Sequence, residues 1–156
     1  QELNEYYENN KEKYFVEPSF TFTHLYFSKN NNSLKRSQEA LISLQDNKEI
    51  KSDPFYLGKA FANEPLRNIS SNFGKTFSDE LLVASMNQWV GPFESSYGHH
   101  IVNINSINPG YTPEIEDVLR QVEVDFFQMK REDAVNQFLN KIRSEYTIYI
   151  NPDLKF

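Results

Sequence analysis

Three histidines, His24, His99 and His100, are the side chains of this sequence best placed for chemistry near neutral pH. A neutral imidazole donates a hydrogen bond at one ring nitrogen and accepts at the other. His24 lies in Ser19–Phe27, SFTFTHLYF, and His99–His100 lie in Gly98–Asn105, GHHIVNIN. Both segments alternate with the period of a strand. Adjacent strand residues point to opposite faces, so His99 and His100 cannot converge on one metal ion. With no Cys and no further His beyond His24, the sequence argues against a metal centre and excludes thiolate nucleophiles. A strand histidine can equally be a hydrogen-bonded core residue. Phe73 and Phe77, one helical turn apart, can likewise be plain core.

The elements that must carry these residues follow from the same pattern. Residues 2–14 are charged and helix-compatible, with Leu3, Tyr6 and Tyr7 as apolar anchors, and Pro18 breaks the pattern. In the first strand Phe20, Phe22, His24 and Tyr26 share one face, and Thr21, Thr23, Leu25 and Phe27 the other. Leu34, Ala40, Leu41 and Leu44 space a helix over 34–45. Between Asp46 and Asn72 the signals are weak, with Phe55–Gly58 as a candidate short strand and a break near Pro65. A helix is expected over 76–86, capped by Thr76 or Ser78, then a turn at Gly91–Pro92. In Gly98–Asn105, His100, Val102 and Ile104 face one way. Thr112-Pro113-Glu114 predicts the start of a helix running to about Ser144. Its apolar stripe runs from Ile115 through Val118, Leu119, Val122, Phe126, Met129, Val135, Phe138 and Leu139 to Ile142. Tyr146–Ile150 would close the chain as a strand. The fold class is α+β: a small, mostly antiparallel sheet surrounded by helices.

Composition narrows the function. The 156 residues carry 16 Lys+Arg against 22 Asp+Glu, a net charge of −6, which argues against nucleic acid as a partner. No stretch approaches the ~20 apolar residues of a membrane-spanning helix. The chain is long enough to bury a core without staples, and its 13 Phe and 9 Tyr supply much of that core. It begins at Gln1 rather than Met, so a signal or membrane anchor upstream is an open possibility.

Two segments, Thr23-His24-Leu25-Tyr26-Phe27 and Trp89 to Val102, resemble the parvulin family of peptidyl-prolyl isomerases. That family opens with an (R/S)-H-(I/L)-L strand and closes with G-P-V-x-(S/T)-x-(F/S)-G-x-H-I-I. Gly91, Pro92, Ser95, Gly98, His100 and Ile101 fall in register with the closing motif, and Tyr97 takes its aromatic position. Phe73, Phe77 and Leu81-Leu82 match the family's M-x-x-x-F element, with Phe77 at the family spacing before Pro92. The resemblance covers roughly Phe20 to Ile104. The flanks, a helix leading into Glu17–Pro18 and a long helix after the domain, look like those of SurA-like and PrsA-like bacterial chaperones. The chain then divides into a helical flank over 1–17, a parvulin-like domain over 18–108, and a long helix with closing strand over 109–156. One departure stands out: only Asp46 to Asp53 separate the first helix from Phe55, so the family's second helix is missing there and its substrate-facing Cys or Asp has no clear counterpart.

The resemblance implies a site and a reaction. Rotation about an X–Pro bond is opposed by a conjugation barrier of ~18–20 kcal/mol, and an isomerase lowers it without covalent chemistry, metal or cofactor. His24 and His100 would form a polar floor through hydroxyls such as Ser95 or Tyr97, with Asp53 the nearest candidate for the third catalytic position. Phe73 and Phe77 would form the proline cup, helped by Met86 or Leu57. Lys29, Lys35 and Arg36 are either a solvated loop and helix start or a selector for an acidic residue before proline. The implied partners are proline-containing unfolded or exported polypeptides, in an extracytoplasmic location, with the membrane reached only through an upstream anchor. The alternative is a parvulin-fold chaperone or assembly module with little isomerase activity.

Overall fold

The computed structural model describes residues 1–45 and 48–146. Two compact units are present: Val16–Tyr111, and Gln1–Phe15 together with the chain from Thr112. The first and last segments of the sequence therefore belong to one unit.

In the Val16–Tyr111 unit, β1 (Ser19–Ser28) and β4 (Gly98–Asn108) run antiparallel at the centre of a four-stranded sheet. β2 (Ala60–Pro65) lies outside β1 and β3 (Trp89–Ser95) outside β4, giving the order β2-β1-β4-β3. The alternation read from β1 and β4 sorts their side chains onto two cores. Phe20, Phe22, Val102 and Ile104 pack against Ile69, Phe73, Phe77 and Leu81. These come from α3 (Leu66–Phe73) and α4 (Lys75–Leu82). On the other face Phe27 and Ile101 pack against Ala40 of α2 (Ser33–Gln45).

Several local expectations are corrected. Phe55–Gly58 is a turn, not a strand: the Gly58 amide donates to the Phe55 carbonyl, and Gly58 has φ +89°. The strand of that region is β2, hidden in sequence because AFANEP barely alternates and Asn63 takes φ +50° beside a register shift. Pro65 ends β2 and caps α3. The helix expected over 76–86 spans 75–82, and neither Thr76 nor Ser78 caps it. Gly74 holds the cap position, and the Ser78 hydroxyl donates to the Lys75 carbonyl within the helix. Gly91–Pro92 lies inside β3, at a bulge between Val90 and Phe93, rather than in a turn.

In the other unit the residues 2–14 divide into α1 (Glu2–Asn9) and a 3-10 turn over Lys11–Tyr14. α1 packs on α5 (Ile115–Glu145), with Tyr7, Tyr14 and Val122 at the centre. The Tyr7 hydroxyl donates to the Pro113 carbonyl. Asp125 accepts from Tyr14 at 3.0 Å and pairs with Lys13 at 2.9 Å, and these donors hold its carboxyl below the usual carboxylate range. α5 starts two residues later than its Thr-Pro-Glu signal: Glu114 is the cap, and Thr112 and Pro113 precede the helix. Its apolar stripe is only partly used. Val122 and Phe126 are buried, whereas Leu119, Val135, Phe138 and Leu139 are exposed. The closing strand expected over 146–150 lies, past Tyr146, outside the described residues.

Candidate functional site

The register of the two central strands brings the histidines together. Tyr26 pairs with His100 and His24 with Val102, so His24 and His100 are diagonal neighbours on one face. Their rings stack at 5.0 Å, and the two Nδ1 atoms are 2.8 Å apart. His24 Nε2 is 2.9 Å from the Gly58 carbonyl, and His100 Nε2 is 2.7 Å from Ser95 Oγ.

These partners settle the tautomers. A carbonyl only accepts, so the proton of His24 is on Nε2, leaving its Nδ1 as acceptor. His100 must then donate from Nδ1, and its own Nε2 accepts from the Ser95 hydroxyl. Ser95 Oγ in turn accepts from the Tyr97 amide at 3.2 Å. Every ring nitrogen of the pair is thereby used. Both imidazoles are fully buried, which disfavours the charged form. Burial pushes His24 below its ordinary value, and burial plus the neighbouring His24 pushes His100 down to about 3. At neutral pH the pair is an uncharged relay with a defined direction: Ser95 to His100 to His24 to Gly58.

An aromatic wall surrounds this relay. Phe73 lies 5.6 Å from His24 and 5.4 Å from His100, and Phe77 lies 5.3 Å from His100, each edge-on. Phe73 and Phe77 stack on each other at 4.5 Å, as one turn of separation across the α3–α4 junction allows. Both are buried and pack against the histidine pair. Phe55 and Phe61 also touch His24, and no sequence signal had placed them at the site. Phe55 sits in a Pro–Gly-bounded run that mimics a strand, and Phe61 in the strand that the alternation hid.

The remaining expected residues take different places. Tyr97 is in the β3–β4 hairpin, where its carbonyl accepts from Tyr26 and its hydroxyl bonds that of Tyr56 at 2.9 Å. Leu57 is on the surface of the 54–58 turn, and Met86 is half-exposed and bridges to Ile104. Asp53 forms a single bridge to Tyr26 of β1. Its two carboxylate oxygens accept from Arg36 at 2.7 and 2.8 Å, and one also accepts from the Ser28 amide. The guanidinium lowers its pKa. Lys35 pairs with Glu39, whereas Lys29 borders a cleft of about 330 Å³ that includes Phe73, Glu94 and Ser95. Among the described residues no cluster of three or more His, Cys, Asp or Glu could hold a metal.

The motif glycines have steric reasons. A Cβ on Gly98, at φ +152°, would lie 2.1 Å from the Phe27 carbonyl oxygen. One on Gly91, at φ +130°, would lie 2.8 Å from the carbonyl oxygen of His100 itself. Gly91 thus lets β3 close on β4, and Gly98 lets β4 approach β1, the pairing that sets His100 beside His24.

Residues 1–120 match the PpiC-type PPIase domain. The chain belongs to that family. No curated protein matches this parvulin-type chain in sequence. Among solved structures it is similar to one from the SurA-like chaperones PEB4 and Cj1289 of Campylobacter jejuni, with TM-score 0.59 and 15% identity over 96% of this chain and 63% of that one. The parvulin chain thus spans less than two thirds of that relative. PrsA of Bacillus subtilis (16% identity, 97% and 56% covered) and of Bacillus anthracis (14%, 96% and 69%) match with TM-scores of 0.40 and 0.42.

Proposed function

We propose that the chain is a peptidyl-prolyl cis–trans isomerase that acts non-covalently on X–Pro bonds of unfolded or exported polypeptides in an extracytoplasmic compartment. The observation that carries this is the His24–His100 bond, locked by Ser95, at the floor of a cup walled by Phe73 and Phe77 in a PpiC-type domain. The cup takes the apolar proline ring. The relay presents fixed dipoles rather than a mobile charge, and so favours the twisted amide, in which conjugation is lost, over the planar one. No step requires either imidazole to remove a proton. Asp53, with both oxygens held by Arg36, serves as a positioning residue for the segment that leads to Gly58. Tyr97, Leu57 and Met86 would meet the substrate chain outside the cup. Two of the three nearby cations are paired, which favours uncharged over acidic residues before proline.

The test is NMR exchange or a protease-coupled assay on an Ala-Pro-Phe-type peptide. Catalysis above the uncatalysed rate is expected, lost in His100→Ala; a folded protein without catalysis overturns the reading. A second reading, a chaperone or assembly module, is favoured by the exposed apolar residues of α5, Val124, Phe127, Val135, Phe138 and Leu139. Suppression of client aggregation that survives Phe77→Ala would support it, and loss of suppression would tie binding to the proline cup.

A further inference from the structure

The cup described above is not empty of protein. Phe55 stacks on Phe73 at 5.4 Å and stands edge-on to both imidazoles, 5.1 Å from His24 and 5.3 Å from His100. It also touches Tyr26, Tyr56 and Tyr97 and is 8% exposed. The other rings of the cup are carried by strands or helices. Phe55 is carried by a turn.

That turn has the build of a strap with firm ends, one buried ring and an exposed tip. At one end Asp53 is tied to Tyr26, Ser28 and Arg36. At the other, the Lys59 carbonyl accepts from the His24 amide and Ala60 begins β2. Between them Tyr56 is 64% exposed and Leu57 is exposed too. Gly58, at φ +89°, has open space where a Cβ would be, and glycine's wide backbone freedom suits it as a hinge. Besides the ring contacts of Phe55, two hydrogen bonds hold the middle down on its surroundings: the surface bond between the Tyr56 and Tyr97 hydroxyls, and the Gly58 carbonyl on His24 Nε2.

We infer that residues 54–58 are a self-inserted lid, with Phe55 seated where the substrate's proline ring must go and the Gly58 carbonyl occupying the one donor of the relay that a substrate could use. This rests on the isomerase reading of the site. A single outward swing clears the cup and releases His24 Nε2–H together. Substrate binding is then a competition with the lid, and the apparent Kd exceeds the intrinsic one by the inverse of the open fraction.

The experiment uses the whole 156-residue chain and the peptide Ala-Ala-Pro-Phe, with Ala-Ala-Ala-Phe as control. Affinity is read by NMR titration, catalysis by exchange, and lid opening by hydrogen exchange of the Gly58 amide. Phe55→Ala should tighten binding of the proline peptide by about tenfold if the closed form dominates by that ratio. Tyr56→Phe, which removes one hydroxyl and leaves the core intact, should tighten it by a smaller factor and speed exchange at Gly58. A folded Phe55→Ala with unchanged or weaker binding overturns the lid, as does an unchanged Tyr56→Phe, whether or not the wild type is catalytic. Tighter binding without catalysis in any form supports the lid and overturns the isomerase reading. No binding by any form overturns the lid.

Discussion

His24 Nδ1 and His100 Nδ1 stand 2.8 Å apart, and one proton lies between them. Because Gly58 can only accept and Ser95 is the remaining partner, that proton belongs to His100. Nitrogen NMR of the imidazoles should show His24 as the Nε2–H tautomer and His100 as the Nδ1–H tautomer, with His100 neutral until the pH approaches about 3. Both histidines are pushed down from 6.5, so the unfolded chain takes up their protons first. Their contribution to stability is complete above pH 6.5 and is lost as the pH falls below it. For His100 the loss approaches about 1.4 kcal/mol per pH unit until the folded form titrates, and His24 adds to it in the same direction. A melting temperature that does not fall between pH 7 and 5 would contradict this.

Ser95→Ala leaves His100 Nε2 buried without a donor. The expected cost is about 1–3 kcal/mol, with the His100 Nε2 resonance shifted by the loss of its donor while Gly58, acting through His24, still sets the Nδ1–H tautomer. Ser95→Thr keeps the hydroxyl and should restore both.

Phe77→Ala opens a cavity beneath His100 and should cost about 3–5 kcal/mol by urea denaturation. Phe77→Leu keeps the site filled, and its effect should fall on KM for proline peptides more than on kcat. A wild-type-like KM with a reduced kcat would place Phe77 outside the proline cup.

Arg36→Leu removes the fork that holds Asp53. The carboxyl should return toward its ordinary value, measurable by carbon NMR, and stability should fall by roughly 1 kcal/mol. Its depressed pKa contributes stability above the unfolded carboxyl value, lost as the pH drops through the folded one, an acid window below that of the histidines. If Asp53 only positions its segment, Asp53→Asn lowers melting temperature and leaves the pH profile of catalysis unchanged in shape.

The strands that carry the site were legible because most of their buried side chains fall on one face. Alternation in SFTFTHLYF and GHHIVNIN, by itself, puts His24 and His100 on sheet faces, and the resemblance supplied their pairing. What escaped was set by contacts distant in sequence. β2 is recruited by β1 despite a polar, bulged sequence, and α3 follows directly from Pro65. Phe55 is buried mainly by residues distant in sequence: the two histidines, Phe73, Tyr26 and Tyr97. Caps were the weakest inference: Thr76, Ser78 and Thr112 all have capping side chains, yet Gly74 and Glu114 hold the positions. The lower half of α5 shows the converse, an apolar stripe without a buried partner among the described residues.

The pairing of β1 with β4 has a consequence for how the protein is made. Its two histidines are 76 residues apart and come from the first and last strands of their unit. During synthesis from the N-terminus, the relay cannot exist until nearly the whole unit has left the ribosome. Until then His24 and the aromatic face of β1 have no β4 to pair with, and contacts of such long sequence separation form slowly. A protein proposed to help exported chains must itself pass through a stage in which its first strand, with at most β2 on one side, keeps its other edge open for its last.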